Sequence, residues 1–171
     1  MSAPPRPVIY ITPYDPQWIV AFEAEVRRLK AILGPVCVEV HHIGSTSIPG
    51  MLAKPIIDII LSVESIESLD GVEEDLVVEG YESGGAFGLP GRRLYVGNHP
   101  DGTRRCHIHS YKAGDPEAAR HFAFRDYLIA HPEEAQGYAD LKQSLVKAHN
   151  GDKERYVSGK HGWIKERERR A

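Results

Sequence analysis

Cysteine is nearly absent from the 171 residues: Cys37 and Cys106 stand alone, far apart and without metal-ligand spacing. That excludes a disulfide scaffold and leaves two buried thiols in a reducing compartment as the expectation. Long apolar runs are also missing. The longest, residues 55–63, is interrupted by Asp58, and a membrane span needs roughly 18 apolar residues, so no membrane partner is expected. The start, MSAPPRPVIYIT, lacks a basic segment followed by an apolar one; no secretory signal is expected, and the predicted location is cytoplasmic. Neither sign of charge dominates: Lys and Arg number 21, Asp and Glu 24, for a net charge of −3. No nucleic-acid partner is therefore expected.

What remains is ordinary globular material, 42% hydrophobic and 26% charged, in a chain of single-domain length. Pro4, Pro5 and Pro7 predict a loose tail over 1–7, and the rest reads as one domain spanning 1–171 with no internal linker. Asp15-Pro16 starts a helix, with Asp as cap and Pro at the first helical position. Trp18, Phe22, Val26, Leu29 and Leu33 continue it as one apolar stripe until Gly34-Pro35 ends it. Residues 36–43 and 55–63 read as strands, the second apolar enough to be covered on both faces. A helix is expected over 65–79. The glycines between 84 and 91 form a loop long enough to act as a lid. Two strands follow, at 94–96 and 105–111, then three helices over 115–130, 131–149 and 152–170. The expected class is α+β (or α/β), a mixed sheet flanked by helices with a C-terminal helical segment.

The chemistry concentrates in His41-His42-Ile43-Gly44-Ser45-Thr46-Ser47-Ile48-Pro49-Gly50, followed by Lys54-Pro55-Ile56-Ile57-Asp58-Ile59-Ile60. A strand ending in a glycine and hydroxyl residues offers free N–H groups and hydroxyl donors together. Gly44, Ser45 and Thr46 therefore make a candidate phosphate turn, especially if a short helix begins within 47–53. The plainer reading is a Ser- or Thr-capped turn. The glycine and lysine spacing is not that of a P-loop, and no Gly-x-Gly-x-x-Gly occurs. Asp58 is the second signal, because a carboxylate amid isoleucines needs a partner, a metal or a place at the strand end. Lys54 is either a phosphate partner or the structural counter-ion of Asp58. His107 and His109, two apart on a strand, point to one face. If that face adjoins Asp58, with His42 nearby, they would make a transition-metal site, for which imidazole suits zinc, iron, nickel or copper better than magnesium. The competing reading has them bond a phosphate or pack against the last helices, and one of them could serve as a general base. Arg92 and Arg93 are candidates to reach an anion, Tyr156 and Lys160 to face the site. Arg125-Asp126 reads as a structural ion pair.

Ile43-Gly44-Ser45 with Asp58 resembles the turn and first acid of the nucleotidyltransferase superfamily. The longer string, with Tyr14-Asp15-Pro16, His107-Ile108-His109, and His121 through Phe124-Arg125-Asp126-Tyr127-Leu128 to His131-Pro132, resembles more narrowly its GrpB-like branch. The resemblance covers most of the chain. It implies a nucleotidyltransferase-like fold, a nucleotide or other phosphate-bearing small molecule as ligand, and a divalent metal, Mg²⁺ or Mn²⁺, at Asp58. Family members fused to dephospho-coenzyme A kinase point to coenzyme or nucleotide metabolism. One departure stands out: Ile60 occupies the place of the second acid, and two-metal transfer needs carboxylates bridging two ions. Three functions are thus in play: a nucleotidyltransferase, in which Asp58, His107 and His109 carry the chemistry; a binding module that has lost it; and a histidine-based transition-metal hydrolase.

Overall fold

The computed structural model describes residues 9–171; the expected tail at 1–7 lies outside the described residues. Helix α1 spans Gln17–Leu33. The Asp15 carboxylate accepts the Gln17 N–H at 2.9 Å, while Pro16 occupies the cap position itself. Trp18, Leu29 and Leu33 are buried, each such burial stabilising by roughly 1.5–3 kcal/mol. Glu25 is buried on the same helix, which apolar periodicity did not foresee.

The strands are β1 (Cys37–Ile43), β2 (Ile57–Val63), β3 (Tyr81–Ser83), β4 (Arg92–Asn98) and β5 (Arg104–Lys112). They form one sheet in the order β1-β2-β5-β4-β3, in which only β2 and β5 run parallel. β3 is too short to leave a sequence pattern. The helix expected over 65–79 is broken in two: a 3-10 stretch at Ile66–Gly71, then α2 at Glu73–Val78. Gly71 sits at the break, where a helix interior would lose about 1 kcal/mol relative to alanine, and the bend lets both Leu69 and Leu76 reach the core. Cys106 is buried, but Cys37 is only half-buried, and both are free thiols.

The C-terminal part supplies α3 (Pro116–Ala130), α4 (Pro132–Ala148) and α5 (Lys153–Glu168). Asp115 and Asp152 cap α3 and α5 by accepting the Glu117 and Arg155 amides. α1 covers one face of the sheet over Ile57, Ile59, Leu61, Val63 and Ile108. On the other face Ala118 and Phe122 of α3 pack on Ile43, Ile60 and Tyr111. A separate core of Leu128, Tyr138 and Trp163 joins the three helices to Ile48 and Met51 of the β1–β2 connector. That connector therefore lies in the seam between sheet and helices. Among the described residues no helix is long and apolar enough to cross a membrane.

Candidate functional site

Register assembles the centre of the site. Asp58 lies opposite His107 on β5 and opposite Ile43 on β1, so Asp58 and His107 share a face, and their Oδ1 and Nδ1 atoms are 3.1 Å apart. Burial alone would raise the Asp58 carboxyl. The hydrogen bond with His107 and the positive charge of His107, His109 and Lys54 outweigh it and hold the group below its ordinary value. The partner of Asp58 is thus His107; Lys54 is not hydrogen-bonded to it. Gly44 is fixed by the same carboxylate. Its φ is +71°, and a Cβ there would stand 2.7 Å from Asp58 Oδ2, so any side chain would displace the acid.

After Gly44 the chain makes a 3-10 turn, Ser45–Ser47. No helix follows over 47–53: Pro49 and Gly50, with φ +78°, turn the chain away, and Ala53 pairs with Thr12 instead. The three hydroxyls then part company. Ser47 donates to the Gly44 carbonyl at 2.6 Å, and Thr46 is buried with its Oγ1 2.9 Å from His42 Nε2. Only Ser45 turns its hydroxyl toward the seam.

There a cavity of about 160 Å³ is lined by Ser45, Lys54, Asp58 and His107 from the sheet side and by Tyr138, Lys142, Tyr156 and Lys160 from α4 and α5. Lys142 is only 1% exposed. Its Nζ donates to the Leu52 carbonyl and lies 3.0 Å from Ser45 Oγ. Burial, and then the charges of Lys160 and Lys54, push it down to about 7. Lys160 is lowered to about 8, by burial and then by Lys54, with Asp58 acting in the other direction. Each ammonium sits over a tyrosine of its own helix, Lys142 over Tyr138 at 4.7 Å and Lys160 over Tyr156 at 4.2 Å. Among the described residues, none of Lys54, Lys142 and Lys160 has an acidic partner within ion-pairing distance. Sequence reasoning missed Lys142 and Tyr138, although the signal was present: Tyr138/Lys142 repeats the i, i+4 spacing of Tyr156/Lys160.

The other expected residues are placed elsewhere. His42 belongs to the α1 side of the sheet, stacked on Phe22 at 4.7 Å and lowered to about 4 mainly by burial. His109 shares the face of His107 but lies opposite Ile60 and beside the His121 ring at 6.0 Å. Burial, opposed by the Asp58 charge, lowers it to about 4. Among the described residues no three His, Cys, Asp or Glu side chains converge as metal ligands do; His42, Asp58, His107 and His109 are not one cluster. Arg92 donates to the Ala86 and Phe87 carbonyls and Arg93 to Asp70, so both serve the 84–91 loop and its neighbourhood. That loop ends where Arg92 faces Tyr111, four residues along β5 from His107, or about 13 Å. Arg125 bonds Asp126 as expected and also the His42 carbonyl, at 2.9 Å.

The family model described as GrpB protein matches residues 8–170. The UPF0157 protein YqkA of Bacillus subtilis (strain 168) is 42% identical over 168 residues, covering 98% of this chain and 48% of its own length; the chain thus spans about half of that relative. A dephospho-CoA kinase of Mycolicibacterium paratuberculosis is 29% identical over 191 residues, covering 97% of this chain and 46% of that protein. Among solved structures, the conserved protein GrpB from Enterococcus faecalis superposes with a TM-score of 0.88 at 41% identity, over 94% of this chain and 96% of that one. Cid1 poly(U) polymerase gives a TM-score of 0.54 at 15% identity, over 78% of this chain and 45% of that one. The last likeness is one of fold: a nucleotidyltransferase-like mixed sheet with helices.

Proposed function

The chain belongs to the GrpB family, and from that premise we propose that it binds a phosphate-bearing small molecule, a nucleotide or coenzyme precursor, in the cavity between sheet and helices. One observation carries the reading: among the described residues, Lys54, Lys142 and Lys160 line a cavity with one carboxylate, Asp58, which is already bonded to His107. Lys142 is buried and Lys54 and Lys160 are half-buried; cations withdrawn from water without enough countercharge destabilise a fold, and a polyphosphate would supply the missing charge. The volume suits the phosphates alone, since a pocket enclosing a whole drug-sized ligand is about 300–1,000 Å³; sugar, base or pantetheine would lie outside the opening. Lys54 and Lys160 neutralise charge, and Ser45 contributes its hydroxyl.

The two-ion arrangement of nucleotidyl transfer does not fit these residues. Ile60, where the second acid would stand, is fully buried between Ile43 and Tyr111. A single Mg²⁺ or Mn²⁺ fits better, held by Asp58 and completed by the ligand's own phosphates as is usual for that ion; it would neutralise phosphate charge. Zn²⁺ on His42, His107 and His109 does not fit, because those rings face different surroundings. Ile60 also favours a second reading, in which the ligand is bound without transfer.

A thermal-shift series with nucleoside triphosphates, coenzyme A precursors and inorganic triphosphate, with and without Mg²⁺ or Mn²⁺, tests both. Ligand at a hundred times its Kd adds about 2.7 kcal/mol. A metal-dependent shift removed by Asp58→Ala is expected. Shifts absent for every phosphate compound would overturn the proposal, and binding without turnover would select the second reading.

A further inference from the structure

We propose that Ser45 is a nucleophile and Lys142 the base that deprotonates it, so that the site forms a covalent seryl-phosphorus intermediate from a phosphoanhydride. The substrate class rests on the phosphate reading above; the nucleophile does not. Ser45 Oγ and Lys142 Nζ are 3.0 Å apart, the reach required of a nucleophile and its base. The Leu52 carbonyl can only accept, so it takes an N–H of Lys142; a neutral amine still has a lone pair for the Ser45 proton. Ser45 is only half-buried and lines the cavity, whereas the neighbouring Thr46 and Ser47 hydroxyls are already occupied. The Tyr138 ring lines the same cavity, and a serine paired with a lysine base recurs in acyl-transfer sites on unrelated folds.

The electrostatics agree. Among the described residues, the ionisable groups that share the cavity with Lys142 are Lys54 on the connector, Asp58 and His107 on the sheet, Tyr138 on its own helix, and Tyr156 and Lys160 on α5. Burial and the two lysines bring Lys142 to about 7, so a large fraction is free amine at neutral pH. A lysine needed only to tie Ser45 to Leu52 would gain nothing from two cationic neighbours.

The step balances. The Ser45 proton passes to Lys142, a bond forms from Oγ to phosphorus, and the bridging P–O bond breaks. Its electron pair leaves on the departing phosphate, whose charge Lys54 and Lys160 meet. Water or a hydroxyl acceptor then displaces Oγ, which recovers its proton from Lys142, while the acceptor's proton goes to solvent.

The full chain is treated with diisopropyl fluorophosphate, a neutral phosphorus electrophile, from about pH 5 to about pH 10. Adducts are mapped by peptide mass spectrometry in the unmodified protein, Ser45→Ala and Lys142→Arg. Calorimetry with inorganic triphosphate follows binding separately. Arginine keeps length and charge but never deprotonates. The expected result is one adduct at Ser45, with a rate rising about tenfold per pH unit and levelling near the Lys142 value of about 7. The rate should fall by about a hundredfold or more in Lys142→Arg. The pH profile of the unmodified protein stands even if a variant folds poorly. No adduct in protein that still binds triphosphate, an adduct at another residue, or an unchanged rate in Lys142→Arg would each overturn the proposal and leave the binding reading intact. An adduct at Ser45 without triphosphate binding would overturn the substrate class alone.

Discussion

Glu25 and Lys142 are both charged residues on helices, 2% and 1% exposed, yet their surroundings are opposite. Glu25 is matched on every side. One oxygen accepts Arg105 Nε at 2.5 Å, the other the Tyr81 hydroxyl at 2.6 Å, and the Cys106 thiol lies 3.6 Å away. The cluster joins α1 to β3 and β5, and it holds the Cys106 thiol protonated by burial and by Glu25, pushing it up to about 12. Around Lys142 the lysines outnumber the acid: Lys54 and Lys160 lower its affinity for a proton, and Asp58, the one carboxylate lining the cavity among the described residues, is hydrogen-bonded to His107. A balanced buried cluster is a piece of construction. The unbalanced one is where the proposed anion would bring the missing charge.

The contrast yields predictions of decreasing size. Glu25→Leu leaves the half-buried Arg105 with the Asn98 carbonyl but no carboxylate and should lose about 3 kcal/mol in urea unfolding, with triphosphate affinity of the folded protein unchanged; a loss below about 1 kcal/mol would erase the distinction. Gly44→Ala strikes fold and site together, since its φ of +71° and the 2.7 Å approach of Asp58 both resist a methyl group. About 1–3 kcal/mol of stability should go, along with metal-dependent binding. Lys160→Met removes an unbalanced cation: triphosphate affinity should fall about tenfold or more, or 1.4 kcal/mol, while Tm stays level or rises. A drop in Tm would mean that Lys160 is structural.

The same contrast should show in pH dependence. Lys142 and Lys160 sit at about 7 and about 8 in the fold and near 10.4 unfolded. The unfolded chain therefore holds more protons between those values, and stability should rise from about pH 7 to about pH 9. Thermal melts check this, and the double variant Lys142→Met/Lys160→Met should flatten the slope.

Much of the fold was legible because periodicity reports burial directly. The stripe from Trp18 to Leu33 and the run around Asp58 became α1 and β2 within a residue or two, and Asp115-Pro116 and His131-Pro132 marked two helix starts. β3 left no trace, since three residues cannot display alternation, and Tyr81 owes its place to Glu25, 56 residues away. The site was half legible. Gly44, Ser45, Asp58 and His107 were found because each breaks a local rule, a glycine and hydroxyls ending a strand or a polar group inside one. Lys142 breaks no local rule; on a helix it reads as surface, and only the packing of α4 against the connector buries it. His42 stands on the α1 side of the sheet, because alternate residues of β1 face opposite sides, which proximity in sequence to Gly44 does not reveal.

The central claim, that unbalanced lysines make the seam an anion site, meets its most direct test in a calorimetric titration of inorganic triphosphate into the unmodified protein and into Lys160→Met. Saturable binding of one triphosphate per chain, weakened about tenfold or more in the variant, is the predicted result. No binding heat, or equal affinity in both proteins, would contradict it.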